Sequence, residues 1–229
     1  YNLGVIYREG QEGVAQDYAS ALKWYRLAAA QGYAAAQSGL GHLYGQGLGV
    51  KQDFSEAARW FHLAAAQGFA AGQYNLGGLH RDGHGVPQDY AAALKWYRLA
   101  AEQGFAAAQY NLGVMSRDGQ GTVQDHATAL KWYQLAAAQG FAHAQNELGV
   151  IYQLGRGVVQ DYKEAVKWSG LAAAQGLPVA QFNLGYLYSK GLGVRQSLTE
   201  AAKWYRLSAA QGFAEAHYTL IRSERSRES

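Results

Sequence analysis

Residues 93–104 read Ala-Leu-Lys-Trp-Tyr-Arg-Leu-Ala-Ala-Glu-Gln-Gly, and the chain rewrites this string along its whole length. The tryptophan recurs at Trp24, Trp60, Trp96, Trp132, Trp168 and Trp204, 36 residues apart each time. The closing glutamine-glycine pair keeps the same period from Gly32 to Gly212, and a leucine stands eight residues beyond each of these glycines, from Leu40 to Leu220. A catalytic site is built once, whereas a structural unit is copied. Self-similarity at a period of roughly 20–50 residues marks a solenoid or related array, in which each unit buries its apolar face only against its neighbours.

Within one unit the pattern resolves into two helices. The stretch 106–118 is rich in helix formers and places Ala108, Leu112 and Met115 at helical spacing, which predicts a first helix, A. Gly119 and Gly121 end it, and Asp125 is a favourable N-cap for a second helix, B, over about 126–139. Helix B is clearest at 90–102. There Tyr90, Ala93, Leu94 and Tyr97 form an apolar face that Trp96, Leu99 and Ala100 extend, leaving Ala91, Lys95, Arg98 and Glu102 as an exposed stripe. So wide an apolar surface needs neighbours on two sides. Asp17, Asp53, Asp89, Asp125 and Asp161 recur as N-caps with Ser197 in the last unit, and Asp53/Glu56, Asp161/Glu164 and Ser197/Glu200 have capping-box spacing. The expected fold is all-α: about six helix-turn-helix repeats in one domain over 1–222, with a charged, disordered tail over 223–229.

Composition narrows the function classes. Hydrophobic residues make up 49% and aromatic residues 13% of the 229, enough for a packed chain. The 20 basic and 17 acidic side chains give a net charge of +3 spread over recurring helix faces, rather than the clustered patch of a nucleic-acid binder. The chain has no cysteine, which removes disulfide scaffolds, thiol nucleophiles and thiolate metal sites. No apolar run approaches the ~20 residues of a spanning helix. The sequence opens at Tyr1 in mid-repeat and reads as a fragment, so bacterial cytoplasm, periplasm and secretion all stay open.

Residues 109–114 (Gln-Tyr-Asn-Leu-Gly-Val), the glycine-rich loop leading to Gln88-Asp89-Tyr90, and residues 93–104 together resemble the Sel-like repeat family, 36-residue relatives of the tetratricopeptide repeats. The likeness covers Tyr1 to about Leu220. It implies a right-handed superhelix of antiparallel helix pairs, with A helices lining a concave groove and an adaptor or scaffold role. Departures are an extra loop residue within Gly10-Gln11-Glu12-Gly13, Ser169-Gly170 after a repeat tryptophan, and His80 and Ser116 where other units carry tyrosine.

By the same likeness, positions two before, two after and five after the repeat leucine face the groove. This selects Tyr74, Tyr110, Asn146, Phe182 and Tyr218, then His42 and Tyr186, then Arg81 and Arg117 as partner-binding candidates. Aromatic and arginine side chains dominate interface hot spots. The competing reading packs these rings between neighbouring A helices. The Gly-x-Gly loops follow helices and recur, so they read as turns rather than phosphate cradles. His80 and His84 are separated by a helix-breaking glycine and lack a companion glutamate, so neither a metal nor a cofactor is expected, and no catalytic constellation stands out. The sequence therefore points to a non-enzymatic module holding a peptide or protein, with no nucleic acid or membrane span. End-to-end self-association is the first alternative. A hydrolase acting on cell-wall material or β-lactams is a second, by family analogy alone.

Overall fold

A computed structural model describes residues 1–11 and 13–228, with side chains described to residue 221. Glu12, inside the longer loop of the first repeat, lies outside the described residues, as does Ser229. Among the described residues the chain is all-α: α1 (Asn2–Glu9), α2 (Tyr18–Ala30), α3 (Ala34–Gln46), α4 (Phe54–Ala66), α5 (Ala70–Asp82), α6 (Tyr90–Glu102), α7 (Ala106–Asp118), α8 (His126–Ala138), α9 (Ala142–Leu154), α10 (Tyr162–Ala174), α11 (Pro178–Lys190), α12 (Leu198–Ala210) and α13 (Ala214–Glu228). Odd numbers are A helices and even numbers B helices. The backbone of α13 runs through 223–228, the stretch expected to be disordered. No glycine or proline follows Phe213 to stop it.

The helices fall into two compact units, Tyr1–Gln124 and Asp125–Ser229. In the first, α3 packs on α4 and α5 on α6 as hairpins, and each B helix also meets the next A helix, α2 on α3, α4 on α5 and α6 on α7. In the second, α9, α10, α11 and α12 repeat this alternation, with α8 and α13 at its edges. The B helices α2, α4, α6, α10 and α12 are thus covered on two sides, as their wide apolar faces require.

Caps fix the helix ends. The Asp53 carboxylate accepts from the backbone N–H of Ser55 at 2.9 Å and of Glu56 at 3.0 Å, and the other N-cap aspartates do the same. B helices end in a Schellman motif: at α4, Gly68 N–H donates to Ala65 O at 2.9 Å and Phe69 N–H to Ala64 O at 3.1 Å. That geometry needs the left-handed backbone of Gly68, φ 81°. The core of α6 is Ala93, Tyr97, Ala100 and Ala101. Leu99, expected within the packed surface, is instead 36% exposed, because the small alanines take the interhelical contact and leave it at the rim.

The Gly-x-Gly loops are structural, and their second glycine has a steric reason. Gly85 has φ 70°, and a Cβ there would lie 2.2 Å from the carbonyl carbon of Phe54, the first residue of the preceding B helix. Gly121 and Gly193 approach Tyr90 and Tyr162 in the same way. Gly85→Ala is expected to cost roughly 3 kcal/mol through backbone overlap, against about 1 kcal/mol for Gly68→Ala, whose Cβ would meet open space and suffers only the unfavourable φ. Urea unfolding of the two variants measures the difference; equal losses would refute the close-approach explanation.

Candidate partner-binding face of the A helices

In the Tyr1–Gln124 unit, α3 and α5 lie side by side and present their outer turns together. Between them is a pocket of about 240 Å³ whose walls include His42, Gln46, Tyr74, Asn75, Arg81, Asp82 and His84, with Phe54, Phe61 and Tyr97 from the B helices among the remaining lining residues. The small residues Gly41, Gly45 and Gly78 leave this space. Gly41 has a second task, since a Cβ there would sit 2.6 Å from the Phe61 ring, so the glycine lets the B-helix ring reach the A helix.

Of the nine residues selected from sequence, His42, Tyr74 and Arg81 meet in this pocket. Tyr74 is half-buried and packs on the Tyr97 ring (centroids 5.7 Å) and the Phe105 ring (5.1 Å). Its ring is therefore both wall and core. The Arg81 guanidinium grips its neighbour Asp82 through two hydrogen bonds, 2.8 and 3.0 Å. That pairing raises the arginine pKa and holds the Asp82 carboxyl below the usual carboxylate range. Burial lowers the His42 pKa, with the charge of Arg8 acting in the same direction. The pocket thus offers an uncharged imidazole, a phenol, an amide and a zwitterionic Arg–Asp pair. Among the described residues, the side chains of His42, Tyr74 and Asn75 engage in no hydrogen bond.

Tyr110 and Arg117 occupy the equivalent places one repeat on, where Arg117 pairs with Asp118 at 2.7 and 3.1 Å. In the Asp125–Ser229 unit, Phe182 lies between the rings of Tyr205 (5.4 Å) and Phe213 (5.4 Å). Asn146 is buried, and its side-chain oxygen accepts from Asn183 Nδ2 at 3.0 Å, tying α9 to α11. Tyr186 and Tyr218 are exposed, Tyr218 at 69%. Sequence reasoning missed Gln46, Asn75, Asp82 and His84, because it followed only three registers counted from the repeat leucine.

His84 stacks on Phe54 at 4.8 Å, and His80 lies back in the last turn of α5 with its Nδ1 buried and unpartnered. Among the described residues, no group of three or more His, Asp or Glu side chains is placed to hold a metal ion, and none of the helices is long and apolar enough to cross a membrane.

The Sel1 repeat family model matches residues 1–33, 34–69, 70–105, 106–141, 142–177 and 178–213. The chain belongs to the Sel1 repeat family. Sel1 repeat proteins are generally protein-interaction scaffolds and typically non-catalytic. The chain is similar to c5321, a protective antigen of uropathogenic Escherichia coli with the same repeat fold, at 41% identity and a TM-score of 0.85. That match covers 97% of this chain and 47% of the other, so the chain spans about half the length of that relative. It is also similar to a Sel1 repeat protein from Oxalobacter formigenes, at 36% identity and a TM-score of 0.83 over 93% of this chain and 83% of the other. A Pseudomonas aeruginosa immunity protein, Pa5087, at 22% identity and a TM-score of 0.59 over 91% of this chain and 81% of the other, shares the fold. No curated protein matches the sequence.

The floor of the Sel1-repeat pocket makes a pH prediction. The Tyr97 phenol is 1% exposed, and burial pushes its pKa up, well above the ordinary 10.0. The unfolded chain releases this proton first, so the stability tied to Tyr97 is complete below about pH 10 and is lost as pH rises through the folded value. Tyr97→Phe should flatten that alkaline loss, and Phe61 at the equivalent place one repeat earlier shows that the ring alone fits. Urea midpoints at about pH 8 and pH 11 test this; an unchanged slope in the variant would contradict it.

Proposed function

We propose that this Sel1-repeat chain is a non-enzymatic scaffold that holds a peptide or extended protein segment against its A-helix face, anchored in the His42–Tyr74–Arg81 pocket. The single observation that carries the reading is that residues drawn from two A helices converge on one pocket with hydrogen-bonding groups left unengaged. Binding pockets join an apolar floor to a few fixed polar groups, which matches Phe61 and Tyr97 below His42, Asn75 and Arg81. Asp82 holds the Arg81 guanidinium in place through Nε and Nη2, so its remaining N–H groups are pre-positioned for a partner's backbone carbonyl or carboxylate. The other A-helix candidates, Tyr110, Arg117, Tyr186 and Tyr218, extend the same role within their own units.

A second reading, end-to-end self-association, draws on exposed apolar side chains at Tyr1, Leu3 and Tyr33 and at Tyr218 and Ile221. A strict monomer by sedimentation at high concentration would remove it.

The scaffold reading is tested by affinity capture from bacterial lysate followed by titration of the captured partner. Asn75→Ala combined with Arg81→Ala removes polar groups at the rim and spares the Tyr74 and Tyr97 rings. A loss of about tenfold or more in affinity, with the thermal midpoint retained, is expected. Undiminished affinity in the double variant would move the interface off this pocket.

A further inference from the structure

Two glycines in the walls of the α3–α5 pocket are not demanded by packing. Gly45 stands in the last turn of α3 and Gly78 inside α5. A Cβ at Gly45 would lie 3.6 Å from the Ala57 Cβ, and one at Gly78 would lie 3.5 Å from the Tyr97 hydroxyl, both ordinary contact distances. Gly41 and Gly77 differ, since a Cβ there would sit 2.6 and 2.9 Å from the Phe61 and Tyr97 rings. Glycine is also a poor helix former. The other A helices of the Tyr1–Gln124 unit carry side chains at these two repeat positions: Arg8, Arg81 and Arg117 in place of Gly45, and Val5, His42 and Val114 in place of Gly78. Two absent side chains, one on each A helix, therefore open the same space.

Resting on the scaffold reading, we propose that this space receives one aromatic side chain of a bound, extended peptide. The walls set both the size and the chemistry of the guest. A cavity of about 150 Å³ accepts a benzene ring, and the 240 Å³ here suits a single phenylalanine, tyrosine or tryptophan side chain. Phe61, Tyr74 and Tyr97 offer ring surface, and offset or edge-on ring pairs are favoured beyond the area they bury. An aliphatic guest would fill the space without those ring contacts. A charged guest would have to break into the Arg81–Asp82 pair, whose hydrogen bonds are 2.8 and 3.0 Å, whereas a neutral ring leaves it intact. The carboxamides of Gln46 on α3 and Asn75 on α5 line the same space. Each can both donate and accept, which suits the peptide backbone on either side of the inserted ring.

Random linear peptides displayed on phage and panned on the full chain, with the enriched ones then titrated as free synthetic peptides, test the proposal. The enriched peptides should share one aromatic residue. Replacing it by alanine, a change that leaves the protein untouched, should lower affinity about tenfold or more, and replacing it by another aromatic residue should lower it much less. On the protein side, Gly45→Ala with Gly78→Val fills the space with side chains that the contact distances admit. This variant should bind the same peptides about tenfold or more weakly, with its thermal midpoint retained or raised. Peptides that bind without a shared aromatic residue, or that bind the filled variant undiminished, would overturn the aromatic-anchor proposal and leave the scaffold reading standing. Recovery of no binding peptide would overturn both.

Discussion

A buried glutamine in each of the A helices α3, α5, α7, α9 and α11 is the constraint on which the array depends. Gln73 is 4% exposed; its Nε2 donates to the carbonyl of Ala65 at the end of α4 (3.3 Å), and its Oε1 accepts from Gln103, the C-cap of α6 (2.8 Å). One carboxamide thus ties together a B helix, the next A helix and the next B helix. Gln37 does the same between α2 and α4, and in the second unit Gln145 and Gln181 repeat it with Gln175 and Gln211. A buried amide left unsatisfied costs about 1–3 kcal/mol. The same bond gives the Ala65 carbonyl a second donor beside the Gly68 N–H of the Schellman motif. Hydrophobic contact alone would let neighbouring helices slide; the carboxamide fixes their relative height.

With that height fixed, the remaining contacts become specific. The A-helix glycine comes opposite the B-helix ring, as at Gly41 and Phe61 or Gly77 and Tyr97. The loop glycine lands on the first residue of the preceding B helix. The A-helix turns that carry His42, Tyr74 and Arg81 come into line as the walls of one pocket. The site is a by-product of the stacking geometry, and its individuality comes from side chains that differ between repeats, such as His42, where the next two units carry Gly78 and Val114.

The helices were legible in the sequence because caps, glycines and apolar spacing agree, and the spans expected for α7 and α8 match the structure within a residue. The glutamines marked the period, yet their role was not legible. Gln103 meets Gln73 from 30 residues away, and no local pattern shows that the two side chains are buried together. Register counting found Tyr74 and Arg81 and set groove lining against packing between neighbouring A helices for the tyrosine; rings 23 and 31 residues further on, Tyr97 and Phe105, claim part of it. Asn146 had the same history: its place in the groove register was readable, its burial against Asn183 was not. Leu99 failed in the opposite direction. Its helical position admitted packing, but alanines won the contact because they let helices approach closely.

The coupling between Gln73 and Gln103 tests the central claim most directly. A double-mutant cycle with Gln73→Ala and Gln103→Ala, read by urea unfolding, isolates the pairwise term from the loss of either amide alone. A favourable coupling of about 1 kcal/mol or more is predicted for a buried amide pair. Strict additivity of the two substitutions would contradict the account and leave hydrophobic packing as the sole source of repeat register.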